Sequence, residues 1–120
     1  MNVAVVDYTA PDAAQRFTAS LRETGFAVLV NHPLPMDLVR TTYQEWAELF
    51  DSPAVERYLV DPGGQVGWFP PTMAETAKDS TVRDLKEFFH VYEWSVYPSE
   101  VSDAAMRYRA AAVELAKELL

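Results

Sequence analysis

The chain has 120 residues, of which 49% are hydrophobic, 12% aromatic and 23% charged, with a net charge of −8 and no cysteine. That length predicts one domain, residues 1–120, able to bury roughly two-thirds of its unfolded surface, and the apolar content excludes intrinsic disorder. The acidic balance without a basic patch excludes nucleic-acid and anionic-membrane partners, and the missing cysteine excludes disulfides, thiol nucleophiles and thiolate metal sites.

Val3–Val6 is a short β-branched run that predicts a strand. Thr9 is a candidate helix cap with Pro11 in the first turn, and Ala13, Ala14, Phe17 and Leu21 recur at helical spacing up to Gly25, a C-terminal cap. Phe26–Val30 is a continuous apolar run and predicts a buried strand. A second helix opens at Leu34–Asp37, with Leu38, Val39, Tyr43, Trp46, Ala47 and Phe50 as its apolar stripe. Ser52 before Pro53 predicts a capped short helix to about Tyr58, and Asp61-Pro-Gly-Gly64 a turn. Gly67–Pro71 is extended, with Pro70 and Pro71 limiting ladder pairing; Thr72–Ser80 is a polar connector; Lys86–Tyr92 is a strand. One long helix is expected over Ser99–Leu120, with Val101, Ala105, Tyr108, Ala112, Leu115 and Leu119 as a seam that runs undiminished to the last residues, so the helix is expected to be interrupted rather than ended. The expected class is α+β: a small sheet of few strands, flanking helices and a long C-terminal helix.

No basic region or long apolar run opens the chain, and no stretch reaches the ~18 apolar residues of a membrane span, so a cytoplasmic protein is expected.

Little in the chain carries chemistry. His32 and His90 are the two histidines, and neither belongs to a His-x-Asp or His-Glu-x-x-His pattern. His32 reads as a turn residue before Pro33, and His90 as a strand residue in or beside the core or lining a cavity. Asp84, Glu87 and Glu93 read as solvated charge, with Lys78 and Lys86 available to pair with Glu75 and Glu87. No phosphate-binding glycine loop is present, and Ser80, Ser95, Ser99 and Ser102 lack a local base. Trp68, Phe69, Pro70 and Pro71 form an apolar cluster outside any periodic element, either packed on the core or forming an aromatic rim or docking surface.

Several of these segments taken in order resemble a known family. Val5-Val-Asp-Tyr8, the helix bearing Phe17 and Leu21, and Glu23-Thr-Gly-Phe-Ala-Val-Leu-Val-Asn-His-Pro33 are similar to the opening of the isopenicillin N synthase-like iron(II)- and 2-oxoglutarate-dependent oxygenases. Pro33 stands where that family commonly has glycine. The Pro35–Phe50 helix, the short helix at Arg57-Tyr58 and the Gly67-aromatic motif also fit, and Lys86-Glu87-Phe88 looks like the family's Lys-Glu-x-Phe, an early strand of the catalytic barrel.

The resemblance implies the N-terminal part of a double-stranded β-helix oxygenase whose catalytic core is absent. Such enzymes bind iron through a His-x-Asp and a distal His, and 2-oxoglutarate through a later Arg-x-Ser; none of these is found here, so no catalytic or metal residue is assigned. Iron(II) and 2-oxoglutarate are implied for the full-length protein only, and the chain alone is expected to be inactive. By resemblance, Gln65 and Phe69 lie near the mouth of the active site and His90 faces the substrate pocket. The expected partner is the catalytic barrel. The alternative is a stand-alone interaction module binding a protein through the last helix and the Trp68–Pro71 cluster.

Overall fold

Ser20 is the polar residue buried in the first helix, 4% exposed, and it explains how the chain start is built. Its Oγ accepts from the Ala4 amide at 3.1 Å and donates to the Phe26 carbonyl at 2.7 Å, tying the segments before and after the helix to its flank. In this computed structural model, which describes residues 2–76 and 78–120, those segments are β1 (Val5–Asp7) and β2 (Val28–Val30), joined by α1 (Ala13–Thr24). The two strands are parallel, pairing Val5 with Val28, Val6 with Leu29 and Asp7 with Val30, and α1 is the crossover a parallel pair requires. The chain divides into two compact units, the first being residues 1–35 with 109–120 and the second residues 36–108.

Within the first unit, Gly25 caps α1 as expected, with φ 79° and its amide on the Leu21 carbonyl at 2.9 Å. Thr9 does not cap the helix, which starts after Asp12 with no side-chain cap. Thr9 instead donates from its amide and hydroxyl to Asp7 Oδ1 at 2.9 and 2.7 Å, a local turn that competes with capping. Asn31, with φ 55°, donates to the other Asp7 oxygen at 3.0 Å. These bonds hold the Asp7 carboxyl below its usual range, the Thr9 hydroxyl contributing most. Val6 is fully buried. The expected buried strand at Phe26–Val30 is not buried: Phe26 is 70% exposed and Val28 and Val30 are also exposed, because a two-stranded sheet covers one face and leaves its edge open.

In the second unit α2 (Met36–Phe50) is followed by a 3-10 helix, Pro53–Tyr58. Ser52 caps it as expected, its side chain accepting from the Ala54 amide at 3.2 Å. Replacing Ser52 with alanine is expected to cost about 1 kcal/mol in urea unfolding, with the slope unchanged. The core is Leu49, Val55 and Val101, surrounded by half-buried Trp46, Phe50, Ala54, Trp68, Phe89 and Tyr97. Of the stripe expected on α2, Leu38 is buried and Val39, Trp46 and Phe50 are half-buried, while Tyr43 is 73% exposed and Ala47 is exposed; Leu49, outside that stripe, is the more deeply buried residue. Leu49 is buried by Val55 beyond the turn and by distant Val101, which helical periodicity does not register.

The remaining strands are β3 (Gly67–Phe69) and β4 (Phe88–His90), antiparallel, pairing Gly67 with His90, Trp68 with Phe89 and Phe69 with Phe88. The strands thus form two separate two-stranded sheets rather than one. β4 is shorter than the expected Lys86–Tyr92 strand because its partner ends where Pro70 and Pro71 begin a 3-10 turn, Pro71–Met73. That turn lies in the expected Thr72–Ser80 connector, of which Ala77 is outside the described residues.

The last helix, α3, covers Ala104–Leu119, starting five positions later than the expected Ser99. Its first turn is set by Ser102, whose Oγ accepts from the Ala104 amide at 3.2 Å. Glu45 accepts from the Ser102 amide and hydroxyl at 3.0 and 2.8 Å, and Tyr97 donates to the Ser102 carbonyl at 2.6 Å. Burial holds the Tyr97 hydroxyl above its usual range. Of the expected seam, Val101 and Leu115 are buried and Ala105, Tyr108, Ala112 and Leu119 half-buried; Ala104 joins them as a buried residue.

Candidate functional site

Alternation along a strand sends neighbouring side chains to opposite faces, and it divides β3 and β4 into a core face and an outer face. Trp68 and Phe89 take the core face. The Phe89 ring lies 5.1 Å from Trp46, edge to face, and 5.7 Å from Tyr58. Phe69, Phe88 and His90 take the other face. Phe69 and Phe88 stack at 4.6 Å with planes 13° apart, and His90 lies 4.9 Å from each. The row continues beyond the strand to Tyr92, 6.3 Å from His90, and to Trp94, stacked on Tyr92 at 5.1 Å.

The turn before β3 brings Gln65 to the same place. Gly64 closes it by donating to the Asp61 carbonyl at 2.7 Å, and the Gln65 carbonyl then lies 3.1 Å from His90 Nδ1. The structure therefore brings Gln65, Phe69 and His90 together. His90 is exposed, on the face opposite the core, rather than packed in the core.

Within the Trp68–Pro71 cluster, Phe69 is turned away from the other three. Trp68 packs inward and its Nε1 donates to Glu87 Oε2 at 2.8 Å, while Phe69 is on the outer face. Pro70 and Pro71 line a shallow cleft with Glu56, Leu59, Trp68 and Met73. Glu87 is thus a hydrogen-bond acceptor holding an indole, not merely solvated charge, and Lys86 pairs with Asp84 at 3.4 Å rather than with Glu87. His32, in the first unit, is half-buried with Nδ1 lacking a partner among the described residues. Tyr8 donates to the Glu118 carboxylate, 2.7 Å from each oxygen, which pushes the phenol above its usual range.

Phe88, Tyr92 and Trp94 were not expected at the site. Part of their signal is in the sequence: Phe88 and His90 alternate with the period of one strand face, and Tyr92 and Trp94 keep that spacing although β4 ends at His90.

Among the described residues no group of three or more His, Asp or Glu side chains could hold a metal ion. Among the described residues no helix is long and apolar enough to cross a membrane.

Comparison with known proteins agrees with this arrangement of elements. A solved crystal structure titled "Putative oxygenase", from Shewanella oneidensis, matches all of this chain with a TM-score of 0.85 and 39% sequence identity; the match covers 41% of that protein. The gibberellin 2-beta-dioxygenase of Phaseolus coccineus is 29% identical over 90 residues, covering 64% of this chain and 27% of that enzyme. The chain thus spans well under half the length of these relatives. The family described as non-haem dioxygenase in morphine synthesis, N-terminal, matches residues 3–111. With nearly its whole length matched, the chain belongs to the family of non-haem dioxygenase N-terminal domains.

Proposed function

We propose that this chain serves as the N-terminal domain of an iron(II)- and 2-oxoglutarate-dependent oxygenase, supporting the catalytic double-stranded β-helix and bordering its substrate pocket with Gln65, Phe69 and His90. The observation that carries the reading is the match of the whole chain to less than half of a solved oxygenase-like protein. The catalytic barrel, as partner, supplies the iron chemistry that consumes O2 and 2-oxoglutarate and releases succinate and CO2 with the oxidised product. The residues here contribute packing and a surface: β3 and β4 are anchored on one face by Trp46, Leu49 and Val55 and present rings on the other. The interaction-module alternative is not favoured by the comparisons, which match this chain to the N-terminal domain of larger dioxygenases.

The test is the native protein from its source cells. We expect an intact mass well above the 13.5 kDa of this chain, and succinate formation from 2-oxoglutarate that requires iron(II). A native mass of 13.5 kDa, or a longer protein without succinate formation, overturns the reading.

A further inference from the structure

The first unit holds a cavity of about 340 Å³ that the proposed function does not use. Tight turns build its entrance. The Tyr8 amide donates to the Val30 carbonyl at 2.9 Å, the Ala10 amide to the Asp7 carbonyl at 3.1 Å and the Ala13 amide to the Ala10 carbonyl at 3.0 Å, so the chain arches from the end of β1 onto the start of α1. The small side chains of Ala13 and Ala14 leave the space, while Phe17 one turn on, Leu29 of β2 and Leu119 of α3 give it apolar walls. Glu118 is exposed yet lines the cavity, so its carboxylate stands where the hollow meets solvent. Tyr8 donates its single hydroxyl proton to that carboxylate, 2.7 Å from each oxygen. A carboxylate has about four acceptor positions, so one shared proton leaves it able to accept more. Lys117, next to it in the chain, pairs with Glu114 at 2.7 Å, and no residue lining the cavity is cationic.

We infer that this cavity binds a small organic cation, a primary ammonium on a compact hydrocarbon body, with the body against Phe17, Leu29 and Leu119 and the ammonium on Glu118. A largely apolar hollow with one or two placed polar groups is the usual form of a small-molecule site. The charge decides among ligand classes. An anion would meet Glu118 and a chain of net charge −8. A cation without an apolar body would gain only an exposed ion pair, which is worth little. An apolar molecule without the charge would leave the carboxylate unused. The inference stands apart from the oxygenase reading, because every residue lining the cavity belongs to the first unit, and Gln65, Phe69 and His90 belong to the second.

The experiment is a binding titration of the full-length native protein at neutral pH with phenethylamine and 2-phenylethanol, which share a hydrocarbon body and differ in the charged group. An alkylammonium stays protonated at that pH. We expect the amine to bind about three- to tenfold more tightly, between the effect of an exposed ion pair and that of a fuller charge-assisted hydrogen bond. Glu118→Gln keeps an acceptor for the Tyr8 hydroxyl and removes the charge, so it is expected to bring the two affinities together while that of the alcohol is unchanged. Ala14→Leu fills the hollow with a good helix former and is expected to weaken both probes alike. Both substitutions fall at exposed helix positions, and far-ultraviolet circular dichroism checks that the variants are folded. Equal affinities in the unaltered protein, a preference that survives Glu118→Gln, or binding that Ala14→Leu leaves untouched overturns the inference, as does failure of both probes to bind the folded protein.

Discussion

Replacing Gly67 with alanine is expected to lower stability by about 3 kcal/mol or more and the melting temperature by more than about 10 °C. Two costs combine at this position. Gly67 has φ 103°, a backbone conformation that a side chain disfavours, and a Cβ built there would overlap the Tyr58 carbonyl oxygen. That oxygen belongs to backbone, so it cannot rotate away. Relief requires moving Tyr58, whose hydroxyl donates to Glu100 at 2.6 Å and whose ring packs 5.7 Å from Phe89. Gly63→Ala separates the two costs. Gly63 also has positive φ, at 77°, but nothing lies within 4 Å of a Cβ there, so its loss is expected to be about 1 kcal/mol, from strain alone. Equal losses at the two glycines, measured by thermal unfolding, would show that the approach of Tyr58 to β3 does not constrain the fold. The Gly67 variant should also disturb the 3.1 Å contact of Gln65 with His90, since Gly67 is the residue paired with His90.

The parts of the fold that were legible in the sequence are those decided by near neighbours. Gly25 after a helical run, Ser52 before Pro53, and Asp61-Pro-Gly-Gly64 each specify a local backbone shape, and each is found where the residues place it. The errors fall where a distant residue decides. The last helix starts after Ser102 because Glu45 and Tyr97, remote in the chain or ahead of the helix, bind that serine; Pro98, fully buried, holds the approach. Leu49 is central because Val101 meets it. Phe26 was expected inside because continuous apolar runs usually belong to strands covered on both faces, and a pair of three-residue strands has no such cover. At the candidate site, Gln65, Phe69 and His90 were linked through family resemblance. Their proximity depends on a turn and a strand pairing across 25 residues, which no local pattern encodes. The alternation of Phe88, His90, Tyr92 and Trp94 is legible in the sequence, but apolar Phe89 and Val91 lie between its members, so the segment lacks the apolar-polar contrast that separates one strand face from the other.

Trp46→Ala is expected to cost about 3–5 kcal/mol, the range for removing a large aromatic side chain from a core. Trp46 joins the elements of the second unit: its ring lies 6.3 Å from Phe50 on the same helix, 5.1 Å from Phe89 on β4 and 6.1 Å from Tyr97 ahead of α3. The last two contacts are edge to face, worth more than their area alone. Alanine would leave a gap bordered by all three rings beside buried Leu49 and Val55, and such surroundings relax only in part. Trp46→Phe keeps one ring against Phe89 and should cost clearly less, which separates loss of packing from loss of fold. The consequence for function follows from strand geometry. Phe89 holds the inner face of β4 while Phe88 and His90 stand on its outer face, so a strand loosened from behind lets the outer rings drift. In Trp46→Ala, the near-ultraviolet circular dichroism of the stacked Phe69, Phe88, Tyr92 and Trp94 should therefore fall at temperatures well below unfolding. A loss of under about 1 kcal/mol, or an aromatic signal unchanged beyond the removal of one indole, would mean that the core behind β4 does not set the order of the rings in front of it.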